Sequence, residues 1–148
     1  MPIVKNVDET QFLNVDLDIR SRSSLEPIAL AMGRTVHVLY VGRERGLYKA
    51  YLELHRHLSA DACIRGFCAL IRKLPQAERK LWDTATIREF NVGIQAQMKP
   101  ITFEITVGEE AVRQAADLDA RIGVTIYSPA MKAASQESLL SSTKERSC

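Results

Sequence analysis

Polar and apolar residues alternate along "FLNVDLDIR", with Leu13, Val15, Leu17 and Ile19 on one side of an extended chain and Asn14, Asp16, Asp18 and Arg20 on the other. This two-residue period predicts a half-buried strand. The pattern changes at "SSLEPIALAMG". Ser24 offers a cap there, Pro27 falls early where its missing N–H does little harm, and Gly33 stops the run, so a short helix is expected. "TVHVLYVG" and "LYKAYLEL" return to extended patterning, and "GRERG" between them supplies two glycines for a turn. They predict a hairpin. Setting Val41 opposite Leu47 places Val36, Val38 and Tyr40 with Leu52, Ala50 and Tyr48, and leaves His37, Lys49, Tyr51 and Glu53 on the opposite face.

"SADACIRGFCALIRKL" spaces Ile64, Phe67, Cys68 and Ile71 helically behind a Ser59 cap, and Pro75 ends the run. "QAERKLWDTAT" predicts a second helix packed by Ala77, Leu81, Trp82 and Ala85. Two strands follow, "EFNVGIQAQM" with Phe90, Val92, Ile94, Ala96 and Met98 inward, and "ITFEITV" with Ile101, Phe103, Ile105 and Val107 inward, joined tightly at Lys99-Pro100. "GEEAVRQAADLDA" reads as a helix with two acids in its first turn, where they suit the dipole. "RIGVTIYSP" closes with Ile122, Val124 and Ile126 inward. The order is β-α-β-β-α-α-β-β-α-β. One-sided alternation on nearly every strand predicts an α+β fold, a mainly antiparallel sheet of about six strands with helices on one face. Strand-helix-strand occurs near both ends, which suits a pseudo-duplicated ferredoxin-like plan. A single domain is expected over residues 1–129, and the Ser- and Ala-rich stretch 130–148, with only Leu139 and Leu140 as anchors, reads as a flexible or frayed-helical tail.

The chain's 148 residues fit one such domain, and 46% hydrophobic with 26% charged residues describes a globular protein. Twenty Lys+Arg against 18 Asp+Glu leave a net charge of +2, too small and too evenly mixed for the basic face of a nucleic-acid binder. No run approaches the length of a membrane span, and "MPIVKNVDET" lacks the basic and apolar regions of a secretion signal. Cys63 and Cys68 face different ways on one helix, so they are poor disulfide partners and reduced thiols are expected. A cytoplasmic location follows, with no nucleic acid, membrane or cofactor implied.

The run "FNVGIQ...ITFEITVGEEAVRQAADLDARIGVTIYS" resembles the C-terminal half of a group of uncharacterised bacterial α+β domains, some of them immunity-protein-like. The resemblance covers the last third to half of the chain and rests on apolar pattern. It implies partner binding and brings no catalytic residues. Where such domains commonly carry Gly before the last strand this chain has Asp119, a departure from the pattern, although Asp can adopt the left-handed conformation at some cost.

Candidate chemistry is sparse. His55 and His57 share one face of an extended strand about 6 to 7 Å apart, a spacing that suits two ligands of a zinc ion. Glu53 is the nearest further donor, but only a bend would bring all three to one metal. His37, opposite Tyr51 in the register above, is roughly 13 Å from His55 and is excluded. Asp16 and Asp18 could share a proton or a cation. Arg43 and Arg45 in "GRERG" could grip a phosphate. Cys63 in a first helical turn is a conceivable nucleophile. Each of these groups also fits an ordinary solvated or packed position. The outer face of the sheet, with Asn91, Gly93, Gln95 and Gln97 on one strand and Arg121, Gly123, Thr125 and Tyr127 on another, offers small hydrogen-bonding groups suited to contact. The sequence therefore points to a non-enzymatic protein-interaction domain, binding a protein partner or itself as a homodimer, with Asp16 and Asp18 as a rim. The alternative is a small metal-dependent or Cys/His hydrolase-like enzyme centred on residues 53–63.

Overall fold

The computed structural model describes residues 8–56 and 58–129. His57, Cys148 and the tail expected over 130–148 lie outside the described residues. Strand β1 (Gln11–Ser21) realises the expected alternation, with Val15, Leu17 and Ile19 buried and the intervening polar residues only partly so. A register shift between Phe12 and Asn14 puts Phe12 against the core in place of Leu13. One extra residue reverses the faces on one side of a bulge, and periodicity alone does not reveal it.

Helix α1 (Glu26–Met32) has Pro27 in its first turn and ends at Gly33, whose φ of 63° any other residue would adopt only under strain. Ser24 lies one residue too early to be the N-cap, which is Leu25. β2 (Val36–Glu44) and β3 (Leu47–Leu54) meet through only two residues, Arg45 and Gly46, both at positive φ. Such a turn matches the twist of the flanking strands, and it extends the ladder through Gly42, Arg43 and Glu44. The observed register pairs Glu44 with Leu47 and His37 with Glu53, so the expected pairing of Val41 with Leu47 is corrected.

α2 (Ala60–Arg72) begins at Ser59, whose hydroxyl accepts the Ala62 N–H at 3.2 Å, and α3 (Gln76–Asp83) follows Pro75. Trp82 and Ala85 are buried as expected, but Ala77 is exposed. β4 (Ile87–Gln95), α4 (Glu109–Asp117) and β5 (Arg121–Tyr127) complete the fold. Asp119 before β5 has φ 54°, in the left-handed region.

The strands form one five-stranded sheet in the order β2-β3-β1-β4-β5. The first three junctions are antiparallel and β4–β5 is parallel, so the sheet is mixed. The expected sixth strand, "ITFEITV", is absent. Residues 102–108 form no ladder, and although Ile105 and Val107 lean on the core, Ile101 is fully exposed and Phe103 39% exposed. This segment and α4 together form the crossover that a parallel neighbour requires. The two strand-helix-strand units are not arranged alike, because β3 separates β1 from β2 whereas β4 and β5 are adjacent.

One core lies between the sheet and the helices, built around Phe67 of α2 stacked 5.9 Å from Phe90 of β4. The indole N–H of buried Trp82 donates to the Leu118 carbonyl at 3.1 Å, tying α3 to the end of α4. Arg88 occupies an inward position opposite Ile19, where its guanidinium donates to the carbonyls of Trp82, Ala85 and Asp119 at 2.8 to 3.0 Å. It caps the end of α3 where a cation opposes the helix dipole. Among the described residues no helix is long and apolar enough to cross a membrane.

Candidate functional site

With the helices packed on the inner side, no described element covers the outer side of the sheet. Strand register sets its side chains in rows. One row runs His37, Glu53, Asp16, Asn91 and Gly123 from β2 to β5, and the next runs Tyr40, Tyr51, Asp18, Glu89 and Arg121. Side chains directly opposite on neighbouring strands approach to about 5 Å, so these rows are contacts as well as alignments.

The first row sets two acids against each other. Asp16 faces Glu53 directly, an arrangement that destabilises a sheet when both are charged. Glu53 is held by the Asn14 side-chain amide, which donates to its Oε2, while Asn14 Oδ1 accepts the Val15 N–H at 2.8 Å. No described cation pairs with Asp16. Burial first, then Glu53 and Asp18, push its carboxyl up to about 6. Asp18 in the second row is raised as well, chiefly by burial, against the opposing pull of Arg20 at 3.5 Å. Asp18 Oδ1 and Arg20 Nε are buried without hydrogen-bond partners, so that pair is incompletely satisfied. The row ends better at the far edge. Glu89 meets Arg121 at 3.1 Å, and its carboxylate passes where a side chain on Gly123 would stand.

The histidines are rearranged relative to expectation. His37 faces Glu53, and its ring centroid lies 5.7 Å from that of His55, which corrects its exclusion on distance. The cause is the two-residue turn, which shifts the hairpin register. His57 lies outside the described residues, and among the described residues no three His, Cys, Asp or Glu side chains are placed to hold a metal ion. Cys63 is buried in the core, where burial pushes its thiol up, and its Sγ lies 3.6 Å from the Leu58 carbonyl. Cys68 is buried too, its thiol pushed up to about 11. A thiol so held is a packing group rather than an exposed thiolate.

The remaining candidates separate. Arg45 sits in the turn, whereas Arg43 belongs to β2 and lies over the Tyr48 ring, 5.5 Å from its centroid, on the helix side of the sheet. The two arginines therefore do not form one phosphate grip. Arg43 instead lines a groove of about 560 Å³ between α1 and the hairpin, with Leu30, Val38, Val41 and Tyr48. Gln95 stands on the outer face, but its amide is engaged, donating to the carbonyls of Ala96 and Ser128 at 3.2 and 3.1 Å. Gln97 lies beyond the end of β4, anchored through its backbone to Thr10. Asn91, Thr125 and Tyr127 do share the outer face, Asn91 beside Asp16, Thr125 beside Gly93 and Tyr127 beside Gln95. The features that the sequence reading passed over are the Asn14–Glu53 contact, the Glu89–Arg121 pair and the approach of His37. All three depend on which strands are neighbours. The signal for them was the polar set on each strand, and what it lacked was the register. Compared with known proteins, the chain matches no family model, and no curated protein or solved structure matches it.

Proposed function

We propose that this chain is a non-enzymatic protein-interaction domain, an immunity-type or homodimeric binding protein that presents the outer face of its sheet to a protein surface. The observation that carries this reading is the half-buried Asp16 set against Glu53 on an uncovered face, with no described cation beside it. A protein that keeps such a pair gives up stability there, and arrangements of that kind concentrate at functional sites. The complementary group is a cation, so a Lys or Arg of the partner would seat between Asp16 and Glu53 with Asn91 alongside. Contact should strengthen as pH rises through about 6 and Asp16 ionises. The β1-α1-β2-β3-α2-α3-β4 run, with strand order β2-β3-β1-β4, supports a ferredoxin-like base for this face, with α3 as an addition. The free Cys63 and Cys68 fit a cytoplasmic setting. They also weigh against a Cys/His enzyme over residues 53–63, because Cys63 belongs to the core.

Asp16→Lys tests the reading, since it supplies the missing cation from within and should leave the fold intact. Wild-type protein immobilised on beads should retain a partner protein that the variant loses. Identical recovery of partner proteins by both sinks the proposal.

A further inference from the structure

The last strand carries a second feature, independent of the sheet face. β5 is an edge strand, and the Ala96 N–H donates to the Tyr127 carbonyl at 2.9 Å, which fixes the side of β5 that Tyr127 turns toward β4. Backbone groups alternate along a strand. The N–H and C=O groups of Ile122, Val124 and Ile126 therefore point away from β4, and no described residue pairs with them. Their side chains fall on the inner face, where Ile122 packs against the core but Val124 is 59% and Ile126 64% exposed. An open strand edge of this composition is a template for pairing, which natural sheets blunt with charge, proline or a bulge. β2 at the opposite edge has such protection, namely a register irregularity between Val38 and Tyr40 and the charged pair Arg43 and Glu44. β5 has none. Its one charge, Arg121, stands at its start and is paired with Glu89.

We infer that β5 is a homodimerisation edge, pairing antiparallel with β5 of a second copy across a two-fold axis at Val124. The sequence of the strand selects both occupant and register. Centred on Val124, the strand opposes its own copy so that Val124 meets Val124, Ile122 meets Ile126, Gly123 meets Thr125 and Arg121 meets Tyr127. No like charges oppose, and each arginine reaches an aromatic ring. The outward backbone groups of Ile122, Val124 and Ile126 then fall opposite one another, forming three hydrogen-bonded pairs and roughly six new backbone hydrogen bonds. Centring on Gly123 or Thr125 keeps only two such pairs within the strand, and centring on Ile122 or Ile126 only one. Six aliphatic side chains close the inner side, covering the apolar surface that α4 leaves open. The product is a continuous ten-stranded sheet, isologous as a two-fold contact must be.

Cross-linking of the 148-residue chain in a Cys148→Ser background tests the register. Directly opposed residues of a hydrogen-bonded pair stand about 5.5 Å apart at Cα, within disulfide range. Val124→Cys should therefore form a covalent dimer under mild oxidation. Ile122→Cys and Ile126→Cys should each fail alone and cross-link when mixed. In sedimentation, the wild-type dimer should be lost in Val124→Pro, which removes only an outward donor, and in Val124→Lys, while Asp16→Lys should leave it intact. Loss of the dimer in Asp16→Lys alone would instead place the contact on the sheet face and overturn the edge assignment. A wild type that stays monomeric also overturns it, and so does protection of the Ile122, Val124 and Ile126 amides from hydrogen exchange in a monomer, which would mean that the chain's own residues cover the edge.

Discussion

Asp16 shows how much of a residue's behaviour depends on neighbours far away in sequence. On its own strand it is one of several alternating polar positions, and only pairing with β3 brings Glu53 against it. The energetic consequence has a definite sign. Below pH 3.8, the carboxyl's ordinary value, Asp16 is neutral in the folded and unfolded chain alike. Between 3.8 and about 6 only the folded chain keeps the proton, and above that the fold must hold a charge that its surroundings disfavour. The contribution of a raised carboxyl is therefore full at low pH and lost as pH rises through this window. Asp16→Asn, which fixes the neutral form, should stabilise the protein by about 1 to 2 kcal/mol at pH 7.5, the figure discounted because the group is partly exposed and screened. At pH 3.5 the gain should vanish. Denaturant melts giving the same difference at both values would show that Asp16 is not held neutral by the fold. Arg88 teaches the same lesson inside the fold. In the sequence it is a charge beside a strand, and its use as a cap for α3 emerges only when β4 and that helix end meet.

At the scale of elements, the faces were readable and their coverage was not. Val15, Leu17, Phe90 and Val92 point inward as the two-residue period requires, and so does Val124. A period reports the side on which a residue lies, whereas burial needs something on the other side. α2 and α4 cover the middle of the sheet, and the edge beyond them is open. Phe90→Ala should therefore cost about 3 to 5 kcal/mol, as emptied core positions do. Val124→Ala should cost less than about 0.5 kcal/mol in the monomer, as at a surface position. Comparable losses in the two, measured by denaturant unfolding at low protein concentration, would mean that β5 is covered within the monomer. The same distinction accounts for "ITFEITV". Its alternation reports a segment half-sunk in the core at Ile105 and Val107, and alternation without a neighbouring strand makes no ladder. The hairpin failed in register for a local reason. "GRERG" contains two glycines, and only Gly46 takes part in the turn while Gly42 stays in the strand, where the Tyr40 hydroxyl lies over it. Choosing between a five-residue loop and a two-residue turn moved His37 from Tyr51 to Glu53, and the histidine geometry moved with it.

At the scale of the whole molecule, the strand order decides which surfaces remain. Placing β1 in the middle pairs it on both edges and pushes β2 and β5 to the outside, one with a register irregularity and the charges of Arg43 and Glu44, the other with Arg121 alone, paired to Glu89. If β5 pairs with a second β5, the native state is a dimer and the unfolded state two chains, so mass action ties stability to concentration. The midpoint of thermal unfolding should then rise as the protein is concentrated, because each folded unit dissociates less before it melts. Val124→Lys should abolish that dependence, since two lysines would face each other at the axis, and its midpoint should match wild type at high dilution, where the edge is empty in both. Asp16→Asn should raise the midpoint at every concentration and leave the slope unchanged, because Asp16 lies on the sheet face, with β4 between its strand and the axis. Sites so separated contribute additively. A wild-type midpoint that does not move with concentration would show a molecule whose sheet ends at β5.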